Sequence, residues 1–451
     1  MSLPHHPTIE PFAIEHATLA TGDEDGRSIP DSTVVVDEVG RIEAIGPSAS
    51  VTVPNGYHRL EATGKVVSPG MINGHIHTNS KGLPGNPKNQ TPTGQRRLVR
   101  LLRSLPGQVF MYFNSKSNIE TMLNSGVTTV RSVGDIGYEL TWLRDEIRDG
   151  IVVGPRIIPA GPMMSIPDGH GAPLSALESA TPEESRHTTA VNIAHGVRAI
   201  KIAATGGVTD SQVPGEAGTP QMSIEQMRAI CETAHEVGII VAAHAQSRQG
   251  VYNALKAGVD TIEHGCPLDD ELIGMFLNNP LTLRGYSALE PTLSAGLPTA
   301  FLTKETLHMT EIQLDNSIPI AKGVVVGARD AHEAGIKVGV GTDTGVPYSM
   351  AYGTWREMDL LHRYSGFSTA EAFHAGTQVT AEIIGVSDIT GSLEVGKSAD
   401  LLVLAENPVD NLRTLEHPLM VVAAGHPIFK PSVKRYPEIE STLDMIYSKP
   451  L

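Results

Sequence analysis

The chain has 451 residues, a formal net charge of −16 and two cysteines, Cys231 and Cys266. This length can bury a large core, the acidity disfavours general nucleic-acid binding, and so few cysteines exclude a disulfide framework or an all-thiolate metal site. No run approaches the roughly 18 apolar residues of a membrane span and the start lacks a signal peptide, so we expect a cytoplasmic protein without membrane or nucleic-acid partners.

Both ends of the chain have the pattern of short β-strands. Residues 12–65 contain runs such as "STVVVDEVG" and "RIEAIGP" with turn residues between them, and the sequence after Gly385 contains "ADLLVLAENP" and "LMVVAAGHPI". Neither end has enough apolar residues for a core of its own. We therefore predict that residues 1–66 and 386–451 combine into one small β-domain beside the rest of the chain.

The middle of the chain, residues 67–385, alternates helical and strand-like segments. A segment with the apolar spacing of a helix often ends at a glycine, and an apolar run typical of a buried parallel strand follows. Examples are "SIEQMRAICETAHEVG" before "IIVAAHAQS" and "GVYNALKAG" before "VDTIEHG". Eight strands are predicted to start near Val66, Val127, Arg156, Val197, Ile239, Val259, Leu281 and Ile336. Eight β/α units predict an α/β protein with a (β/α)8 TIM barrel, whose active site lies at the carboxyl ends of the strands.

Two histidines stand at the end of the first predicted barrel strand. In "MINGHIHTN", His75 and His77 are two residues apart, so both imidazoles point to the same face of the strand. A single histidine at such a place is more often a surface or core residue than a ligand. A pair of imidazoles at this spacing can chelate zinc, and we predict that these two do so.

Three further strand ends carry residues of the same kind. His244 ends "IIVAAHAQ", His264 ends "VDTIEHG" and Asp343 ends "VGVGTDTG". Each has an ordinary explanation when taken alone, since such an aspartate is often a turn residue. In a barrel, however, all of them meet at one rim, and neutral imidazole and carboxylate are ligands that suit zinc.

Lys201 is the charged residue within the strand-like run "AIKIAA". A buried ammonium without a partner is costly, so the ordinary interpretation is a lysine whose ammonium reaches solvent at the strand end. A lysine that points into the predicted ring of metal ligands would instead lose its proton, because nearby cations lower the pKa of its amine. The neutral amine can add carbon dioxide, and the resulting carbamate can bridge two metals.

Together these motifs resemble those of the amidohydrolase superfamily, in particular its metal-dependent dipeptidases and its prolidase-like or imidazolonepropionase-like members. The resemblance covers nearly the whole chain, from about Phe12 to Ile428. It is carried by "SPGMINGHIHTN", "GVTTVRSVGD", "GPRIIPAGPMMS", "IKIAATGGV", "VAAHA", "DTIEHG", "VGTDTGVP" and "GSLEVGKSADLLVL".

The resemblance implies a (β/α)8 barrel with a small β-sandwich domain built from both termini. It also implies two bound divalent metal ions, with zinc as the expected metal. The two histidines of the first strand and Asp343 would bind one metal, the other two histidines would bind the second, and a carbon dioxide-derived carbamate on Lys201 would bridge them. Asp343 would also be the catalytic residue that moves a proton from water to the departing nitrogen. The implied ligands are His75, His77, Lys201, His244, His264 and Asp343.

Three residues near the predicted rim are candidates for substrate binding. Gln246 stands two residues after His244, where relatives often have tyrosine or histidine, and it can donate a hydrogen bond but cannot protonate a substrate. Tyr352 stands in the loop after Asp343, where an imidazole or an amide is common in relatives. His170, in "SIPDGHG", belongs to a segment that resembles a substrate loop, and a purely structural role is equally open for it.

The segment between Thr78 and Asn118 contains no aspartate or glutamate, and "RRLVRLLRSL" within it has the spacing of an amphipathic helix. A solvated helix face over an apolar stripe is the favoured interpretation. The alternative is an insertion that overhangs the barrel mouth and attracts an anionic substrate. The cations of the segment are Lys81, Lys88, Arg96, Arg97, Arg100, Arg103 and Lys116.

We therefore predict a metal-dependent hydrolase that cleaves an amide C–N bond of a dipeptide or an N-acyl amino acid, a small molecule with a free carboxylate. Hydrolysis of a cyclic amide, a lactone or another small ester is the alternative, because the same metals serve these reactions. A catalytically silent structural relative is disfavoured, since such proteins usually lose metal ligands and all six are present. The sequence leaves open whether the protein is a homo-oligomer.

Overall fold

The structure is a computed structural model that describes residues 9–84, 98–102 and 104–451. Its strands, labelled β1 to β17 in chain order, are Phe12–Ala20, Ser28–Val36, Ile42–Pro47, His58–Glu61, Val66–Pro69, Met71–Ile76, Val127–Ser132, Arg156–Ile158, Met163–Ser165, Ala176–Glu178, Ala199–Ala203, Ile240–Ala245, Thr261–His264, Ala288–Glu290, Leu401–Leu404, Met420–Ala423 and His426–Phe429. Its α-helices, labelled α1 to α13, are Leu105–Asn124, Glu139–Arg148, Pro182–Ala194, Ile224–His235, Arg248–Ala257, Asp270–Leu277, Leu293–Phe301, Lys304–Leu307, Glu311–Glu333, Thr354–Ser365, Thr369–His374, Thr380–Ile383 and Pro437–Tyr447. Within these described residues, no helix has the length and apolar character needed to cross a membrane.

The two ends of the chain form one β-domain, as the sequence predicts. Its sheet has the strand order β17-β16-β15-β5-β1-β2-β3, with β4 paired to β1. The link between the ends is the antiparallel pair of β5 and β15, in which Pro69 lies opposite Leu401. Side chains from both ends fill its apolar core, which includes Phe12, Val34 and Val422.

The central strands close into a parallel barrel. Strands β6, β7 and β8 form one parallel group, and β9 with β11 to β14 forms the other. The groups join at one seam where the backbone N–H groups of Arg198 and Ala199 donate to the Pro159 carbonyl. At the other seam residues 336–341 lie between β14 and β6, since the N–H of Gly74 donates to the Val340 carbonyl. The predicted (β/α)8 barrel with a β-domain is confirmed.

Two strands begin later than the sequence suggests. The strand expected near Val66 divides, because Val66–Pro69 pairs within the terminal sheet and the barrel strand begins at Met71. The strand expected near Leu281 begins at Ala288, and the preceding residues form a turn instead. The hydroxyl of Thr282 stabilises that turn by donating to two backbone carbonyls.

The acid-free segment after β6 is only partly described. Four of its cations, Lys88, Arg96, Arg97 and Arg103, lie outside the described residues. Residues 98–102 are helical, and α1 follows with Ser104 as its N-cap. The prediction that this segment attracts an anionic substrate therefore stays a prediction.

Candidate metal centre

Polar side chains gather at the carboxyl rim of the barrel because four of its strands, and the extended residues 336–341, lead to them there. The backbone has a left-handed conformation at two of these residues, with φ of 71° at His264 and 50° at Asp343. Such backbone is costly for residues other than glycine and is concentrated at functional sites. The gathered residues are His75 on β6, His77 directly after it, Lys201 on β11, His244 on β12, His264 at the end of β13 and Asp343 after residues 336–341.

His75, His77 and Asp343 form the tightest group at this rim. The Nε2 atoms of His75 and His77 lie 3.5 Å and 3.1 Å from Oδ1 of Asp343. One ligand atom from each residue lies within 4.8 Å of the others, close enough for all three to bind one metal ion.

The hydrogen bonds behind the two imidazoles fix which ring nitrogen carries hydrogen. Nδ1 of His75 lies 2.6 Å from the Glu263 carboxylate, and Nδ1 of His77 lies 3.0 Å from the Gly134 carbonyl oxygen. A carboxylate and a carbonyl only accept, so a neutral ring at either position carries its hydrogen on Nδ1. In that form their Nε2 lone pairs face the Asp343 carboxylate, and three acceptors with no hydrogen between them form a favourable position for a cation. This donor set fits a metal ion.

His244 and His264 stand beside this group. The ring centroid of His264 lies 5.2 Å from that of His75 and 4.6 Å from that of His244. Nδ1 of His264 lies 2.7 Å from the Thr292 hydroxyl, and Nε2 of His244 lies 3.3 Å from the Gly206 carbonyl oxygen. Nε2 of His264 and Nδ1 of His244 therefore remain available as ligand atoms.

Burial favours the neutral form of His75, His244 and His264. It lowers the pKa of His264 to about 4 and lowers the pKa of His75 and His244 well below the usual value, and Lys201 lowers all three further. Neutral imidazole is the form in which histidine binds metals.

Lys201 is buried on the same rim, with its residue 2% exposed. Burial lowers the pKa of its amine to about 8, with a smaller contribution from Arg131, while nearby carboxylates act in the opposite direction. The lysine does not extend to solvent, so the ordinary interpretation from the sequence does not describe this side chain.

The Asp343 carboxyl group is partly buried, with 15% of its side chain exposed, and it faces three imidazoles. Burial alone would raise the pKa of its carboxyl group, and positive charge facing it from His75, His77 and His264 would hold that pKa below its usual value. With those rings neutral, a bound cation would supply the positive charge. A carboxylate at this position can bind a cation and can accept a proton from water.

The three predicted substrate contacts lie in different places. The His170 ring lies 4.1 Å from the His244 ring, and its Nδ1 lies 2.9 Å from Asp210. Gln246 lines a cavity of about 490 Å³ together with residues 265–269 and part of α9, and none of the predicted metal ligands lines it. Its Oε1 is buried without a hydrogen-bond partner among the described residues. The Tyr352 hydroxyl instead accepts from the backbone N–H of Tyr436, so it faces the segment before α13 rather than the rim.

Three residues of the site were not predicted from the sequence. Glu263 and Arg131 lie buried beneath the ring of histidines, and Asp210 orients His170. For Arg131 and Glu263 the sequence signal is the same as for Lys201, a charged residue within an apolar strand. It occurs in "VTTVRSV" and in "DTIEHG" as well.

A (β/α)8 barrel whose carboxyl rim gathers imidazoles, a lysine and a carboxylate has the architecture of the barrel hydrolases. The chain matches the Amidohydrolase family over residues 66–428 and belongs to that family. It is therefore a hydrolytic enzyme, and the family resemblance drawn from its motifs is confirmed.

Solved structures and a curated relative agree with this assignment. A Bifidobacterium longum protein proposed to be a prolidase is 54% identical, with a TM-score of 0.87 over 98% of this chain and 100% of that chain. A Xaa-Pro dipeptidase with methionine bound in its active site is 26% identical, with a TM-score of 0.80 over 93% of this chain and 100% of that chain. Ochratoxinase from Aspergillus niger is 26% identical over 341 residues, which are 68% of this chain and 66% of ochratoxinase, so the match spans about two thirds of that enzyme.

Proposed function

We propose that the protein is a binuclear metal-dependent hydrolase that cleaves the amide C–N bond of a dipeptide or an N-acyl amino acid. The observation that carries this proposal is the convergence of two imidazole lone pairs on the Asp343 carboxylate. When both rings are neutral, the hydrogen bonds behind His75 and His77 leave neither ring a hydrogen to donate to that carboxylate, and a cation suits the position.

The remaining rim residues supply a second set of ligands. His75, His77 and Asp343 would bind one metal, and the free nitrogens of the other two rim histidines would bind the second. Lys201, as a carbamate, would lie between the two metals. Its amine is buried on the same rim, so the carbamate would place a negative charge there. Imidazole and carboxylate ligands favour zinc over magnesium or calcium.

The chemistry divides between the metals and the chain. Bound divalent metals polarise a carbonyl group and lower the pKa of water toward neutrality. Asp343 turns Oδ1 toward the imidazoles, which leaves Oδ2 to accept a proton from the attacking water and return it to the departing nitrogen. An amide needs this second transfer because an unprotonated amine anion is a poor leaving group.

His170 and Gln246 would hold the substrate beside the metals. Asp210 accepts from Nδ1 of His170 and from the N–H of Gly171, so the imidazole is held in one orientation against His244. The Gln246 amide borders the cavity of about 490 Å³, and its buried Oε1 accepts no hydrogen bond from the described residues. These side chains can bind the polar groups of a peptide.

The relatives favour a substrate with a free carboxylate. The 54% identical protein is proposed to be a prolidase, and the 26% identical one is a Xaa-Pro dipeptidase that holds methionine, a free amino acid. Both descriptions point to dipeptides rather than to lactones or esters.

A hydrolysis screen tests this proposal. Metal-loaded protein is assayed against Xaa-Pro and other dipeptides, N-acetyl amino acids, lactones and aryl esters. We expect amide hydrolysis with kcat/KM of about 10⁴ M⁻¹s⁻¹ or more on the best dipeptide or N-acyl amino acid. The matched control is that substrate as its C-terminal carboxamide, which should react at least about ten-fold more slowly because it lacks the carboxylate. Turnover of lactones or esters with every amide left intact would contradict the proposal.

A further inference from the structure

A buried polar network lies directly beneath His75. Glu263 on β13, Arg131 on β7 and Thr261 on β13 point into the barrel interior, and all three residues are no more than about 1% exposed. The Arg131 guanidinium also donates to the Gly74 carbonyl at 2.6 Å, which ties the network to the strand that carries His75.

The two oxygens of Glu263 have separate partners. Oε1 accepts from Nη2 of Arg131 at 2.9 Å and from the Thr261 hydroxyl at 2.6 Å. Oε2 accepts from Nδ1 of His75 at 2.6 Å. The donors on Oε1 fix the rotation of the carboxylate, so Oε2 is held against the imidazole.

We propose that Glu263, oriented by Arg131 and Thr261, is a positioning residue that keeps the hydrogen of His75 on Nδ1 and so keeps its Nε2 free to bind metal. The inference rests on the proposed function, because it takes His75 as a metal ligand. Carboxylates that hold a metal-binding histidine in this way raise metal affinity by about 10–100-fold.

The competing explanation is that Glu263 serves only as the counter-charge of buried Arg131. The variant Glu263→Gln separates the two explanations through its hydrogen-bonding chemistry. Arg131 and Thr261 both donate, so the glutamine oxygen must take the Oε1 position and the NH₂ group must face His75. That NH₂ group donates to Nδ1, which forces the imidazole hydrogen onto Nε2 and blocks the ligand atom.

The first measurement is metal affinity, by competition of the purified variants with a chelator. We expect Glu263→Gln to weaken one of the two metal equivalents by about 10–100-fold, and to be no better than Glu263→Ala. The matched control is Glu290→Gln, since Glu290 is equally buried and lies 3.5 Å from Arg131. Among the described residues its carboxyl oxygens form no hydrogen bond with a histidine, and its variant should stay within about three-fold of the wild type. Wild-type affinity in Glu263→Gln would overturn the proposal.

The second measurement is the tautomer itself, by long-range ¹⁵N–¹H correlation in metal-free protein with labelled histidine. His75, assigned by the loss of its signal in His75→Asn, should carry hydrogen on Nδ1 in the wild type and on Nε2 in Glu263→Gln. A wild-type ring with its hydrogen on Nε2 would overturn the inference even if the variant does not fold. If His75→Asn keeps both metals, the proposed metal site fails; if His75→Asn loses a metal and Glu263→Gln does not, this inference alone fails.

Discussion

Replacing Lys201 with alanine is expected to remove one of two bound metals and nearly all hydrolytic activity while the barrel stays folded. The lysine lies on β11 between small and aliphatic neighbours, so alanine suits the strand and leaves the pairing with β12 intact. What the variant would lack is the anion proposed to lie between the metals, and four neutral imidazoles with one carboxylate would not balance two divalent charges. Metal analysis and kcat/KM on the best amide substrate measure the loss.

Chemical rescue makes this prediction specific to a carbamate. Formate or acetate added to Lys201→Ala should restore part of the metal content and part of the turnover, because a small carboxylate resupplies the missing anion. Lys337→Ala is the matched control, since that lysine is 38% exposed and pairs with Glu382 at 2.8 Å, so its loss should change activity little. Near-normal metal content and turnover in Lys201→Ala would show that the amine has no part in the site.

Replacing Asp343 with asparagine is expected to lower kcat by at least about 10²-fold with a smaller change in KM. Asparagine keeps an oxygen that can contact metal, and it tolerates the left-handed backbone at this position, where φ is 50°. It cannot accept the proton that the proposed mechanism assigns to the carboxylate. Steady-state kinetics and metal analysis of the variant separate proton transfer from metal loss.

The leaving group gives a sharper test of the role of Asp343. An activated aryl ester departs without protonation, so its hydrolysis should fall less in Asp343→Asn than that of an alkyl amide. Equal losses on both substrates would mean that Asp343 acts as a ligand or in activating water, and wild-type turnover would remove it from the mechanism.

The positions of the rim residues could be predicted because strand geometry and barrel topology are both visible in the sequence. Alternation places His75 and His77 on one face, and the closing glycine of a helix marks where the next strand begins, as Gly258 does before β13 with φ of 97°. Parallel strands then bring His244 and His264 to the same rim.

Contacts between distant segments could not be predicted in this way. Tyr352 follows the last rim residue, but its hydroxyl turns to the N–H of Tyr436, far away in the chain. The partnership of Arg131 with Glu263 likewise joins strands that are not adjacent in the barrel. The strand expected near Leu281 starts later because Thr282 and Asn279 stabilise a local turn that apolar patterning does not reveal.

The metal content of the purified wild-type protein tests the proposed binuclear site most directly. Protein loaded with zinc in the presence of bicarbonate, desalted and analysed for metals should contain about two equivalents per chain. A fully active preparation that contains a single equivalent would contradict the lysine-bridged site and would favour one metal held by His75, His77 and Asp343 alone.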